Sequence, residues 1–356
     1  MHISLERVQA SLLGVRIGDA LGMPVETMSP EEIQLATNGM GITTFVDAIQ
    51  KRLKVQSEFK AGESTDDWQL TRVVAESLIA SDGYNQEDMA RRHVQAAAET
   101  TAGWGGTTQG STEELRRCFA NQPGGRNPWT VAEAKPGLGA GNGVAMKVAP
   151  LALAIYLREQ VLGTSFDAST AFATAKYTEL LWRLTHSHVD ALHTAYAIAM
   201  AMQWCQVRPI TNHAEAREFL HWLQEDWRCI HPPSNWGDYT PTLERLRWVE
   251  ARLGQPNQLA EGLAPGWLAI DSVPYALGIF LSYPTDGRTA LLTCVNSGID
   301  TDTTAAICGS LIGANCGFAG FPEEWRNFRP DFQEAIDLGT QLFEVFAQRA
   351  KVSPHA

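Results

Sequence analysis

Apolar residues recur at helical spacing along most of this chain, and that periodicity restricts the fold more than any other feature. The first stripe, at Leu5, Val8, Leu12 and Val15, predicts a helix that runs into the glycines of 18–22. We predict further helices at 70–81, 144–157, 168–184, 189–204, 214–227, 241–253, 267–281 and 332–349.

Strand-like alternation of apolar and polar residues is nearly absent. Only 42–46 shows it, and this short run is equally compatible with a loop. Many helices with short connections predict an all-α fold in a single domain of 1–356. The stretch 206–266 is richer in Trp, Pro and charge than its neighbours and is a candidate peripheral helical insertion. Pro150 predicts a kink in the helix of 144–157.

Two acidic clusters stand just before helical stretches and are far apart in the sequence. They are Ser64-Thr65-Asp66-Asp67 and Asp300-Thr301-Asp302-Thr303. Carboxylate and hydroxyl oxygens suit Mg²⁺ or Mn²⁺, and they suit zinc poorly because no His or Cys accompanies them. If folding brings the two helix entrances together, the clusters form a two-metal site.

Each cluster also has a simpler explanation as a helix cap. Ser64 and Asp67 have the spacing of a capping box, and acids in a first helical turn complement the helix dipole. Taken alone, either cluster is better explained by capping. A cap needs only one or two oxygens, however, and the surplus acids repel one another unless a cation lies between them.

Composition narrows the classes of partner. A net charge of −12 argues against general binding to nucleic-acid backbones, although local metal ions would still allow a small anionic ligand. The six cysteines form no CxxC pair, so we interpret them as reduced thiols. The first residues lack the order of a signal peptide, and no apolar stretch is long enough to span a membrane. We expect a cytoplasmic monomer without a membrane partner.

Six motifs then occur in a fixed order along the chain. They are GDALGMPVE (18–26), STDDWQLT (64–71), GWGGTT (103–108), GNGVAMKVAPLALA (141–154), THSHVDALHTA (185–195) and SGIDTDTTAAICGSLIGA (297–314). Together they resemble the ADP-ribosylglycohydrolases, which include dinitrogenase reductase-activating glycohydrolase and the ADP-ribosylarginine and ADP-ribosylserine hydrolases. The resemblance implies a compact orthogonal helical bundle with two Mg²⁺ (or Mn²⁺) ions at the base of an ADP-ribose cleft. It also implies hydrolysis of the bond between ribose C1″ and an acceptor atom.

The resemblance implies roles for the acidic residues. It makes Thr65, Asp66 and Asp67 ligands of one metal ion, Asp300 and Thr303 ligands of the other, and Asp302 the bridging carboxylate. Glu26 matches the family glutamate near the reacting ribose, although alone it would be an ordinary loop acid. The general base remains open between Glu26, Asp66 and Asp67. We interpret Asp19 as a structural acid at the end of the first helix.

The resemblance also implies substrate contacts. Trp104, Gly105 and Gly106 match a loop beside the proximal ribose, and Gly141, Asn142 and Gly143 match a diphosphate loop at a helix start. The simpler alternatives are a glycine-rich helix cap with a buried Trp and a plain turn. His188 matches a cleft-lining histidine, whereas His186 is better explained as a helix cap.

Two positions depart from the family motifs. Trp68 replaces a small polar residue beside the metal ligands, and Ile299 replaces the glycine before Asp300. We expect Trp104 to face the cleft. Trp68 either faces it too, restricting bulky acceptors, or packs inward. The resemblance leaves two alternatives to an acceptor hydrolase: hydrolysis of a small ADP-ribosyl compound such as O-acetyl-ADP-ribose, and a non-catalytic ADP-ribose-binding or structural relative.

Overall fold

The fold is all-α, as the periodicity predicts. The computed structural model describes residues 4–132, 139–162, 168–229 and 237–347. Within these residues there are helices, turns and loops but no strand, and 42–46 is a loop. The single β-type contact in the described chain is a bridge between Gly141 and Leu268.

The described part of the chain contains sixteen α-helices. They are α1 (Leu5–Gly22), α2 (Pro30–Ala36), α3 (Asp66–Ser81), α4 (Gln86–Glu99), α5 (Gly106–Phe119), α6 (Ala149–Val161), α7 (Ala168–Thr185), α8 (Val189–Val207), α9 (His213–Cys229), α10 (Thr240–Ala251), α11 (Pro256–Ala260), α12 (Ala269–Ser282), α13 (Gly287–Asn296), α14 (Thr301–Cys316), α15 (Glu323–Arg326) and α16 (Gln333–Ala347).

The helix pair α1 and α14 forms the centre of the fold, and glycines allow their backbones to touch. A Cβ added at Gly18 would lie 2.1 Å from the carbonyl oxygen of Ala305, and one at Gly14 would lie 2.1 Å from that of Gly309. Residues on nearly every side of both helices are buried. This close packing brings the end of α1 against the start of α14, where the Thr301 hydroxyl donates to the Gly22 carbonyl (2.8 Å).

The start of α6 lies five residues after the predicted start at 144. Residues 143–147 form turns, and α6 begins at Ala149 with Pro150 in its first turn. The predicted kink at Pro150 is therefore wrong. Proline lacks an N–H, but the first helical N–H groups have no intrahelical acceptor, so proline costs nothing there.

The stretch 206–266 contributes α9, α10 and α11, and its assignment as a peripheral insertion stays a prediction. Cys205, Cys294 and Cys308 are buried free thiols. None of the described helices combines the length and apolar character that crossing a membrane requires.

Candidate active site

The two acidic clusters meet in the folded chain. Thr65 is the N-cap residue of α3 and Asp300 that of α14, so both clusters lie at helix entrances. The Thr65 hydroxyl lies 3.2 Å from Asp302 Oδ2, and the Thr303 hydroxyl lies 3.3 Å from Asp67 Oδ2. These two contacts join positions that are more than 200 residues apart. The convergence that the sequence analysis left conditional is therefore present.

Helix capping does not account for these acids. Neither Thr65 nor Asp300 caps its own helix with its side chain. The start of α3 is capped instead by Asp19 of α1, whose carboxylate accepts the N–H groups of Thr65 (2.8 Å) and Trp68 (2.9 Å). The capping box predicted at Ser64 is therefore absent. Burial, followed by the charge of Asp302, raises the pKa of Asp19 to about 7.

The acids form two groups that share one member. Asp19, Asp67 and Asp302 can bring one oxygen each to within 4.8 Å of one another, and so can Glu26, Asp300 and Asp302. Asp302 is thus placed where a carboxylate shared by two cations would be. The Oδ1 atom of Asp67 is buried and has no hydrogen-bond partner among the described residues. An unpartnered buried carboxylate oxygen is costly in an apolar interior, and Asp67 Oδ1 therefore fits the role of a cation ligand.

The electrostatics of the cluster also fit a bound cation. Burial raises the pKa of the Asp66, Asp67 and Asp300 carboxyls well above its usual range, and the charge of Asp302 raises each further. Burial, and then the charge of Asp302, also raises the pKa of Glu26. A protein that keeps so many carboxyls buried together gains from a cation that stabilises their charged forms. The donor set, oxygen only, suits Mg²⁺ or Mn²⁺.

The carboxylates form the floor of a cleft with a volume of about 390 Å³. The predicted site residues that line it are Glu26, Asp66, Trp104, Gly105, Gly106, Gly141, Asn142, Gly143, Asp300, Asp302 and Thr303. Thr65 and Asp67 are not in its lining and lie behind it, in contact with Asp302 and Thr303. Within the cleft, Glu26 accepts a hydrogen bond at Oε2 from the buried Gln56 amide (2.9 Å).

The loop that precedes α5 lies directly on the floor. Gly103 has φ +85°, and a Cβ there would lie 2.3 Å from Asp66 Oδ1, so this position requires glycine. Trp104 follows as a cleft wall, 4% exposed, and its indole N–H donates to Gln69 Oε1 (2.7 Å). Trp104 therefore lines the cleft, as the sequence analysis expects.

The loop at 141–143 forms another part of the cleft wall. The Asn142 side-chain amide donates to Asp300 Oδ2 (2.6 Å) and to the Ser272 hydroxyl (3.1 Å), and the Asn142 backbone N–H donates to the Trp267 carbonyl (3.2 Å). The loop is therefore tied to the second acidic cluster. It opens a series of turns and not a helix, which corrects the predicted helix start.

The structure reverses the predicted roles of the two histidines. His186 is buried and lines the cleft beside Gly143. His188 is half-exposed, is not part of the described cleft lining, and caps α8 by accepting the Asp190 N–H at Nδ1 (3.2 Å). The assignment of His188 as the cleft histidine is wrong. Alternation along an extended segment directs side chains two apart to the same side, but the chain turns into α8 at His188.

The two departures from the family motifs have different environments. Trp68 is buried, is not part of the cleft lining, and has the guanidinium of Arg16 5.2 Å from its ring centroid. It therefore packs inward, and the idea that it narrows the cleft is wrong. Ile299 has φ +65°, a strained conformation for a β-branched residue. Its backbone pairs with the Glu26 loop through Thr27 (2.6 Å) and Met28 (2.7 Å).

Sequence reasoning missed three contributors to the site. Asp19 was interpreted only as structural, yet it also belongs to one of the two carboxylate groups. The sequence signal for a role of Asp19 in the site was its position next to a glycine in the motif of 18–26. Gln56 gave no signal, because nothing in its neighbourhood forms a pattern. His186 was visible as one of a pair, but the pair alone did not reveal which ring faces the cleft.

Comparisons with known proteins agree with this geometry. The profile of the ADP-ribosylglycohydrolase family matches residues 1–351. An uncharacterized protein of Archaeoglobus fulgidus is 28% identical over 98% of this chain and 99% of its own length. ADP-ribosylhydrolase ARH3 of Mus musculus is 25% identical over 97% of this chain and 93% of its own length. A solved structure described as "ADP-ribosylglycohydrolase-related protein complex" has the same fold, with a TM-score of 0.63 and 22% identity over 96% of this chain and 98% of that one. The chain belongs to the ADP-ribosylglycohydrolase family.

Proposed function

We propose that this protein is a divalent-metal-dependent hydrolase that cleaves the glycosidic bond at ribose C1″ of an ADP-ribosylated acceptor and releases ADP-ribose. The observation that carries the proposal is the convergence of buried acids from three separate segments on one cleft floor, with Asp302 in both carboxylate groups. A stability role does not explain this convergence, because burying like charges together destabilises a fold. The relatives named as ADP-ribosylhydrolases support the substrate class.

Two Mg²⁺ (or Mn²⁺) ions would be held by these acids. One would be bound by Thr65, Asp66 and Asp67, the other by Asp300 and Thr303, with Asp302 shared. Asp19 supports the first group from behind, since its oxygens already accept backbone N–H groups of α3. Bound there, such ions would supply orientation of the ribose hydroxyls and of a water molecule and would offset negative charge.

Glu26 is our candidate for the general base. Of the three acids considered for that role, Asp67 does not line the cleft, whereas Glu26 and Asp66 do. The Gln56 amide donates to Glu26 Oε2, and the Glu26 carboxyl also shares a hydrogen bond with Asp302. With a cation holding Asp302, Glu26 would be released to take a proton from the attacking water. The carboxylates around C1″ stabilise the positive charge that develops there as the acceptor departs.

The two loops would hold the rest of the ligand. The backbone of Gly105 and Gly106 can approach the proximal ribose closely, with Trp104 as the flat wall beside it. Gly141 and Gly143 offer backbone N–H groups to the diphosphate. Because these glycines open a turn, the donors act without a helix dipole behind them.

The test is a turnover assay with Mg²⁺ and a panel of Arg-, Ser-, Cys- and nucleobase-linked ADP-ribose, with O-acetyl-ADP-ribose included. We expect free ADP-ribose from at least one conjugate. Glu26→Gln should lower kcat far more than it changes KM. Glu31→Gln, an exposed acid of α2, is the matched control and should leave both constants unchanged. ADP-ribose binding without any release would favour a non-catalytic binder, and an absence of binding would contradict the proposal altogether.

A further inference from the structure

A buried lysine lies behind the cleft and makes one described hydrogen bond. Lys147 is fully buried in the turns before α6, and its Nζ lies 3.3 Å from the Thr185 hydroxyl. Burial lowers the pKa of Lys147 to about 7, and the charge of Asp66 acts in the opposite direction. Thr185 is the last residue of α7 and is also fully buried. A lysine in this setting needs a reason beyond packing, because burying an amino group is costly.

The same hydroxyl contacts the cleft histidine. Thr185 Oγ1 lies 2.9 Å from His186 Nδ1. Below about pH 7 Lys147 is protonated and can only donate, so the hydroxyl accepts from Lys147. The hydroxyl has a single proton, and His186 Nδ1 is its only acceptor among the described residues. Nδ1 is therefore the unprotonated nitrogen of the ring, and the proton of a neutral imidazole lies on Nε2.

The Nε2 edge of the ring faces the cleft. A Cβ added at Gly143 would lie 3.3 Å from His186 Nε2, and one at Gly141 would lie 3.5 Å from it. Both glycines and His186 line the same wall. Burial, and then the charge of Lys147, lowers the pKa of His186 to about 3, so the ring is neutral at ordinary pH.

We propose that Lys147 and Thr185 are positioning residues that hold His186 in its Nε2–H form, so that it donates a hydrogen bond to a ligand oxygen beside the 141–143 loop. The identity of that oxygen rests on the proposed function, under which it belongs to ADP-ribose. The opposite tautomer would direct a lone pair at the ligand and would repel a diphosphate oxygen, which has no proton to donate. The direction of the hydrogen bonds from Lys147 through Thr185 to His186 therefore decides whether this wall attracts or repels such an oxygen.

The tautomer can be read directly by ¹⁵N NMR of histidine-labelled protein at pH 6, with His186→Gln used to assign the ring signals. We expect the wild-type His186 to be protonated at Nε2. Thr185→Val keeps the shape but removes the hydroxyl, so it should release the ring into a mixture of tautomers, and Thr185→Ser should restore the wild-type form. Thr178→Val is the matched control, since Thr178 is a buried threonine of the same helix whose hydroxyl has no partner among the described residues.

Titration with ADP-ribose gives the second readout. Thr185→Val should bind it about twofold more weakly if about half of its rings keep the Nε2–H form, because the apparent Kd rises in inverse proportion to that fraction, while Thr185→Ser and Thr178→Val bind as the wild type does. A wild-type ring protonated at Nδ1, or a tautomer that Thr185→Val does not change, would overturn the inference and leave the proposed function standing. Failure of the wild type to bind ADP-ribose would overturn the proposed function and the ligand part of the inference, but not the hydrogen-bond order. The wild-type spectrum decides the tautomer even if Thr185→Val does not fold.

Discussion

Replacing Gly18 with alanine should damage both stability and activity, although it adds a single methyl group. The new Cβ would lie 2.1 Å from the Ala305 carbonyl oxygen, whereas ordinary contact begins at 3.4 Å. The helices α1 and α14 would have to separate by about 1.3 Å (3.4 − 2.1) to admit it. The three nearest atoms all belong to backbone, so no side chain can move aside. Overpacking costs about 1–3 kcal/mol, and we expect about 3 kcal/mol or more here.

The same separation would reach the site. Asp19 follows Gly18 directly on α1, and Asp302 lies one helical turn from Ala305 on α14. Moving one helix away from the other by about 1.3 Å changes the distance between these two acids and distorts the carboxylate group they share. A displacement of about 1 Å at a catalytic site can cost roughly 100-fold in rate. We therefore expect a loss of that order in turnover from a residue that touches no substrate.

Gly110→Ala is the matched control for this experiment. Gly110 lies in α5, and a Cβ there would meet nothing within 4 Å. Alanine should stabilise that helix by about 0.5–1 kcal/mol through the unfolded state. Urea unfolding and the turnover assay should be run on both variants. If Gly18→Ala unfolds at the wild-type midpoint and keeps wild-type turnover, the close-contact argument is refuted.

Further perturbations test other parts of the site. Ile299 has φ +65°, so Ile299→Gly should be more stable than Ile299→Ala by about 1 kcal/mol, the reverse of the usual order. Urea unfolding that shows Ile299→Ala to be the more stable variant would contradict the strain at this position. Asp302→Ala should abolish turnover, yet it should stabilise the metal-free protein because it relieves repulsion between carboxylates. Asp19→Ala should lower the free energy of unfolding by about 1–2 kcal/mol, because it removes the cap of α3. Equal residual activity in the two variants would contradict their assignments. Saturating Mg²⁺ or Mn²⁺ should raise the unfolding free energy of chelator-treated protein by about 2.7 kcal/mol at 100 times Kd, and an unchanged unfolding curve would argue against a metal site. Trp68→Thr should lower the melting temperature without changing the ranking of acceptors, because its ring is buried away from the cleft.

Local sequence signals predicted what depends on local structure. The helical periodicity gave α1, and the surplus of acids marked the entrances of α3 and α14 as more than caps. Some of the predictions that failed depended on contacts between distant segments, whereas the kink at Pro150 failed for a local reason. Nothing near Ser64 in the sequence shows that its helix is capped from α1, since that bond comes from Asp19. Nothing near His186 shows that it faces the cleft, since that depends on how α7 ends against the 141–143 loop.

The strain at Ile299 illustrates the same limit. Its left-handed backbone is imposed by the hydrogen bonds with Thr27 and Met28, which bring the Glu26 loop next to Asp300. The sequence shows that Ile299 replaces a family glycine. It does not show that Ile299 keeps the left-handed backbone conformation that a glycine adopts readily. Strained positions persist where surrounding contacts over-determine them, and they cluster at functional sites. The retained strain is thus itself evidence that the approach of Glu26 to Asp300 matters to this protein.

Under the proposed function, charge predicts that the affinity for ADP-ribose depends on bound metal ions. A diphosphate carries negative charge, the chain has a net charge of −12, and the cleft floor is lined with carboxylates. The described walls offer neutral donors: glycine N–H groups and the neutral ring of His186. Neutral donors orient an anion but do not cancel the repulsion from Asp66, Asp300 and Asp302. Cations on the floor would do so, and linkage then requires that ADP-ribose and Mg²⁺ raise each other's affinity by the same factor.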